Sequence, residues 1–170
     1  AIKVANSIFE ETPNMEKKPT NFSKIFGIGP VGLLISLVLL FIAIWVNRQI
    51  DLPPLSNNQS LLNSAFFISC LMTLAIIVWS FKSLPATDRG NKLCTTGAFK
   101  YVRHPLYAAF LSVFDFGLAI YLNSYIFIFW AVLLHPIWQY LVKNEENMMI
   151  DIFGEEYIEY QKKTGDFCQN

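Results

Sequence analysis

Leu61-Leu-Asn-Ser-Ala-Phe-Phe-Ile-Ser-Cys70-Leu-Met-Thr-Leu-Ala-Ile-Ile-Val-Trp-Ser-Phe81 contains no ionised side chain. At roughly 1.5 Å per residue, a helix of this length covers the roughly 30 Å of hydrocarbon in a bilayer. It reads as a membrane span. Ile28 to Val46 is a second run of the same kind, and Pro105 to Leu122 and Tyr125 to Val142 are similar, each with one ionisable residue, Asp115 and His135. The sequence therefore predicts an all-α integral membrane bundle of about four transmembrane helices. Composition agrees, with 54% hydrophobic and 15% charged residues, a balance that points to the bilayer rather than to a soluble domain.

The chain divides into a polar N-terminal segment (1–27), the first two spans (28–81), and a C-terminal part (82–170) holding a loop, a transmembrane hairpin and a tail. It starts at Ala1, and the region before Ile28 lacks the basic, apolar, small-residue order of a signal peptide, so no export signal is expected there. The formal charge is zero and the basic residues lie in short loops, which argues against a nucleic-acid partner. Cys70, Cys94 and Cys168 have neither metal-like nor paired spacing, so no disulfide framework is expected.

Lys82, Arg89, Lys92, Lys100 and Arg103 crowd one loop, whereas the connection from Asn47 to Ser60 carries only Arg48. By the positive-inside rule the loop 82–104 is cytoplasmic. Four spans then place both termini, with Lys17, Lys18 and Lys24, on that side. Pro53-Pro54 and Ser56-Asn57-Asn58 mark a turn to which no function is assigned. The Asn123-Ser124 connection is so short that the last two spans must form an antiparallel hairpin. Beyond Val142, Met149, Ile152, Phe153, Tyr157 and Tyr160 recur at helical steps, predicting a cytoplasmic C-terminal amphipathic helix. Gly154 should break or cap it, and Thr164-Gly165 should end it.

Chemistry concentrates where these elements meet. In Lys100-Tyr-Val-Arg103-His104-Pro105-Leu-Tyr107, a proline starts a helix beside two cations and an imidazole, and a helix start favours anionic groups. The hairpin should bring Glu145 and Glu146 to the same face, with Tyr107, Tyr157 and Tyr160. Taken singly these residues have plain roles: Arg103 as an interfacial anchor, the glutamates as surface charge, the tyrosines as packing. Their joint occurrence at one membrane face suits a ligand with an anionic and a cationic end, a requirement that S-adenosylmethionine meets. Asp115 and His135 are the ionisable residues inside spans, functional candidates by default, and a structural pairing across the hairpin is as good a reading as catalysis. His135-Pro136 is alternatively a kink whose freed carbonyl needs a partner. Gly27-Ile28-Gly29-Pro30 reads as a flexible start to the first helix rather than a phosphate loop.

Thr96-Gly97-Ala-Phe99-Lys-Tyr101-Val-Arg103-His104-Pro105-Leu-Tyr107, then Glu145-Glu146-Asn-Met148, then Phe153-Gly154-Glu-Glu156-Tyr157-Ile-Glu-Tyr160-Gln-Lys-Lys-Thr164-Gly165, resembles the isoprenylcysteine carboxyl methyltransferase and phospholipid methyltransferase superfamily. The resemblance runs from about Thr95 to Gly165. It implies an S-adenosylmethionine pocket lined by Arg103, His104, Tyr107, Glu145 and Glu146, which Pro105 and Tyr157 join from the convergence above; Glu146 or His104 is the candidate to take a proton from an amine or thiol acceptor. Asp166 departs from the basic residue often found after the Thr-Gly pair. The expected activity is methyl transfer to an amphiphilic acceptor from the bilayer: a prenylcysteine carboxylate, a phospholipid amine or a thiol. Sterol reductases, which use NADPH, share an Arg-His-aromatic boundary but place an acidic residue soon after the tyrosine, where this chain has Ala108-Ala109-Phe110. That reading stands second, and a non-enzymatic membrane scaffold third.

Overall fold

The computed structural model describes residues 28–84 and 92–165. The polar segment 1–27, Arg89, Asp166 and Cys168 lie outside the described residues. Helix α1 spans Gly29–Gln49, α2 Gln59–Ser83, α3 Pro105–Tyr121, α4 Tyr125–Phe153 and α5 Glu155–Lys163. A short 3₁₀ turn, Gly97–Lys100, precedes α3. Among the described residues there is no strand, only an isolated parallel bridge between Val102 and Gly165. Helices α1, α2 and α4 are long and apolar enough to cross a membrane, and α3 is a shorter apolar helix beside them. The chain is a multi-pass membrane protein of the all-α class.

Local chemistry explains the boundaries. Asn58 caps α2 by accepting the Leu61 N–H (3.1 Å), and Ser124 caps α4 through Ile126 N–H (3.4 Å). Asn123 takes φ 58°, a left-handed turn that asparagine tolerates better than most residues, and so reverses the chain between α3 and α4. Its carboxamide exchanges two 3.0 Å bonds with the Ser56 backbone, tying the α1–α2 loop to the hairpin turn. Gly154, at φ 57°, ends α4 and leads directly into α5, as the sequence predicts.

The bundle is arranged for lipid. Phe41 (69% exposed), Phe67 (64%) and Phe129 (68%) face outward, while Ser36, Ser69, Thr73 and Ser80 are buried. Helix α4 supplies the core with Phe127, Trp130, Ala131, Leu134, Trp138 and Val142, joined by Ala43, Leu111 and Ala119. It packs against α1 on one side and α3 on the other, and α3 packs against α2. Small residues allow the close approaches, as expected where solvent does not drive helices together. A Cβ at Gly117 would collide with Ser69 Oγ of α2, and one at Gly32 would lie 2.5 Å from the Trp138 ring.

One expectation is corrected. Asp115 does not pair with His135, whose imidazole lies instead 3.5 Å from Ser112 Oγ and 3.0 Å from the Ala131 carbonyl, with Phe116 beside the ring. Helix α4 runs for 29 residues with Pro136 inside it. An irregularity falls in α3, where Ala109–Phe114 is a π-helical segment and Thr73 Oγ1 reaches the Ala109 carbonyl (3.5 Å). Widened turns of this kind free carbonyls that a neighbouring hydroxyl can satisfy.

Gly117→Ala should destabilise the α2–α3 contact by about 1–3 kcal/mol, the usual cost of overpacking. In detergent, its melting temperature should fall below wild type and recover largely in Gly117→Ala/Ser69→Gly. Failure of the second substitution to restore it would remove the Ser69 contact as the cause.

Candidate active site

The end of the bundle that carries Lys82, Lys100 and Arg103 also gathers the start of α1, the start of α3 and the extension of α4. At roughly 1.5 Å per residue, α4 is about 43 Å long and overshoots the hydrocarbon. Its apolar part stops at Val142, and Glu145 and Glu146 stand on the turn beyond. The hairpin places that turn beside Arg103 and His104.

Arg103 Nε donates to Glu146 Oε1 at 2.7 Å, and His104 Nε2 lies 3.3 Å from the same oxygen. Glu146 Oε2 accepts from the Gln161 side chain (3.2 Å). Arg103 Nη1 also donates to the backbone carbonyls of Thr164 (2.5 Å) and Gln161 (3.4 Å), capping the C-terminus of α5. The Arg103 backbone N–H reaches the Gly165 carbonyl (3.1 Å). The side chains of Arg103, His104 and Glu146 are only 12%, 7% and 13% exposed, so these charges are paired out of bulk solvent. Burial alone would push the Glu146 carboxyl up, but hydrogen bonds from His104 and Arg103 and their charge outweigh it and hold it below the usual range.

The second carboxylate has separate partners. Glu145 Oε2 accepts from Tyr107 Oη (2.9 Å) and from the Ile28 backbone N–H (3.4 Å). Glu145 thus lies at the start of α1, where the helix dipole favours negative charge. The Tyr107 ring stacks on His104 (centroids 5.5 Å apart) and tilts against Trp138 (4.9 Å). Tyr157 is buried at 2% exposure against Tyr160. Burial first, and then the Glu146 charge, raise its phenol above the ordinary value. Tyr160 Oη donates to the Phe99 carbonyl (2.5 Å), docking α5 on the turn before α3.

Arg103, His104, Pro105, Tyr107, Glu145, Glu146 and Tyr157 therefore all lie at this one end of the bundle. Their order differs from the sequence expectation in one respect: Arg103 is turned onto Glu146 and the tail carbonyls. Sequence reasoning missed Ile28, Trp138, Gln161 and Thr164. Only the Gly29-Pro30 pair that opens α1 hinted at Ile28, and nothing local marked the rest.

The same region carries the comparison with known proteins: the model of the phospholipid methyltransferase family matches residues 31–156. The chain belongs to that family. A relative from Schizosaccharomyces pombe, a protein-S-isoprenylcysteine O-methyltransferase, is 29% identical over 88 residues, which is 50% of this chain and 37% of the relative. The chain thus spans little more than a third of that protein's length. No solved structure matches it.

Arg103→Lys keeps the charge but cannot serve Glu146 and two carbonyls at once. Hydrogen exchange over α5 should rise in this variant while α1 and α2 stay protected. Because the folded Glu146 pKa is lowered, its contribution is present near neutral pH and is lost as pH falls below the ordinary carboxylate value of about 4.3. The melting temperature should show that acid limb, and Glu146→Gln should flatten it.

Proposed function

We propose that this membrane-end cluster binds S-adenosylmethionine and that the protein transfers its methyl group to an amphiphilic acceptor. The observation that carries the reading is the meeting of Glu146, Arg103 and His104 within 3.3 Å, next to the Tyr107–Glu145 pair, in a chain of the phospholipid methyltransferase family. The donor set fits the cofactor. Two carboxylates suit ribose hydroxyls or an ammonium, and a guanidinium and an imidazole suit a carboxylate. Both bonds to Glu145 are made to Oε2, so Oε1 is the atom Glu145 offers to a ligand.

Arg103, His104, Pro105, Tyr107, Glu145, Glu146 and Tyr157 are the residues assigned to this pocket, with His104 and Glu146 in the catalytic role. The chemistry the cofactor supplies is a methyl carbon on a sulfonium, to which the acceptor's lone pair bonds as the carbon–sulfur bond breaks, leaving a neutral thioether. A carboxylate acceptor needs no base, whereas an amine or thiol must lose a proton first. Glu146 or His104 takes that proton, and their 3.3 Å contact fixes one side chain against the other. Burial of the cluster excludes water and strengthens each of these interactions.

The acceptor is a prenylcysteine carboxylate, a phospholipid amine or a hydrophobic thiol entering sideways from the bilayer, since the cluster lies where the apolar helices end. The Lys82, Lys100 and Arg103 cluster supports a cytoplasmic site. The comparison relative's name supports a lipidated acceptor.

Calorimetry on the detergent-solubilised protein tests the cofactor. S-adenosylhomocysteine should bind, NADPH should not, and Glu146→Ala or His104→Ala should abolish binding while the protein stays folded. Binding of NADPH alone would replace this reading with a reductase, and binding of neither with a scaffold. Labelled methyl groups followed into lipid, peptide and thiol fractions then identify the acceptor.

A further inference from the structure

Trp138 is almost fully buried in α4, and its surroundings fix it on two sides. Gly32 of α1 lets the indole lie directly on the helix backbone, because a Cβ there would come within 2.5 Å of Trp138 Cη2 and Cζ2. One turn along α1, Ser36 Oγ accepts the Trp138 Nε1–H at 2.9 Å while donating to the Gly32 carbonyl at 2.9 Å. A second indole, Trp130, donates to the Ser36 carbonyl (3.3 Å), so Ser36 joins α1 to two turns of α4. A buried indole N–H needs a partner, and these are specific ones.

The remaining side of Trp138 meets the site. Its ring lies 4.9 Å from that of Tyr107 at 50°, and Tyr107 in turn stacks on His104 and donates to Glu145. Trp138 itself makes no hydrogen bond to Glu145, Glu146, Arg103 or His104. Tyr107 is therefore held between an imidazole and an indole, with its hydroxyl aimed at a carboxylate. If the indole tilts, Tyr107 has room to turn, and both Glu145 and His104 lose a neighbour.

We infer that Trp138, locked by Gly32 and Ser36, is a positioning residue that sets the orientation of Tyr107 and through it the ligand-facing geometry of Glu145 and His104. This rests on the proposed methyl-donor site and adds to it a specific support reaching from the first helix. The sequence Gly32-x-x-x-Ser36 is then part of the site's machinery, although neither residue touches the cluster. The arrangement follows a general requirement: a binding constellation stays productive only when its rotamers are fixed by a supporting layer.

The test uses the full chain in detergent, with S-adenosylhomocysteine as the titrant and four variants: Trp138→Phe, Ser36→Ala, Tyr107→Phe and Phe127→Leu. Ser36→Ala keeps the indole and removes only its anchor, so the inference stays testable if Trp138→Phe folds poorly. Trp138→Phe and Ser36→Ala should each weaken binding about tenfold, a coupling within the range of contacting residues. In a Tyr107→Phe background the same changes should weaken it little further, because the effect passes through Tyr107. Phe127→Leu, a core truncation about three turns from Trp138 at the far end of α4, should lower the melting temperature and leave the affinity of the folded protein unchanged.

Fluorine NMR of protein carrying 3-fluorotyrosine supplies a readout without ligand: the Tyr107 resonance, identified by its loss in Tyr107→Phe, should move in Ser36→Ala and not in Phe127→Leu. Wild-type binding with unchanged affinity in folded Trp138→Phe and Ser36→Ala, or with losses that add fully to that of Tyr107→Phe, overturns the inference and leaves the donor site standing. If the wild-type protein binds no S-adenosylhomocysteine, the donor site itself fails. The positioning of Tyr107 is then decided by the resonance, and an unmoved signal in Ser36→Ala rejects it.

Discussion

Arg103 is the side chain on which three separate pieces of the chain depend. It joins the start of α3 to Glu146 on the extension of α4 and to the last carbonyls of α5. Removing two charges from water costs several kcal/mol per ion, and an isolated buried pair seldom recovers that cost. This pair is not isolated. His104 and Gln161 complete the bonding of Glu146, and the tail carbonyls complete that of Arg103. The gain is one of geometry rather than of net stability: two carboxylates, an imidazole and a phenol are held at the mouth of an apolar bundle, where loose side chains would otherwise scatter.

The bundle below that cluster solves a different problem. Its outer surface is aromatic and aliphatic because its solvent is lipid, so attraction between helices must come from close packing and internal hydrogen bonds. Gly117 against Ser69 closes α3 on α2, and Gly32 against Trp138 closes α4 on α1. The buried hydroxyls do not remain unsatisfied: Ser36, Ser69 and Ser80 each donate to a carbonyl of the preceding turn, and Thr73 reaches across to α3. The same small residues that permit contact thus also consume the polar groups that lipid could not.

Much of this was legible in the sequence for a physical reason. Span length is set by bilayer thickness, and hairpin geometry by a two-residue turn, so α1, α2, the α3–α4 pairing and the reversal at Asn123 follow from local composition. Gly154 was readable because a helix end in a left-handed conformation selects glycine. The meeting of His104 with Glu146 followed from the hairpin alone. What escaped was long-range: the Ile28–Glu145 bond joins residues 117 apart and Trp138–Ser36 joins residues 102 apart. No periodicity encodes which serine on a lipid-spanning helix will meet which indole. The supposed Asp115–His135 pair failed for a related reason. Adjacent spans bring two residues within reach of each other without fixing which way each faces, and His135 faces Ser112.

The position of α5 follows from the same economy of contacts. A single residue, Gly154, connects it to α4, and a side chain there would meet nothing within 4 Å, so sterics around that joint do not hold the helix in place. Its placement comes instead from Gln161 on Glu146, from Arg103 on the carbonyls of Gln161 and Thr164, and from Tyr160 on the Phe99 carbonyl. Two of the anchoring side chains, Arg103 and Glu146, are also among those proposed to hold the methyl donor. Whatever a ligand draws from Arg103 or Glu146 is drawn from the docking of α5, and whatever fixes α5 fixes those two groups for a ligand. In this fold the order of the tail and the geometry of the site are one quantity.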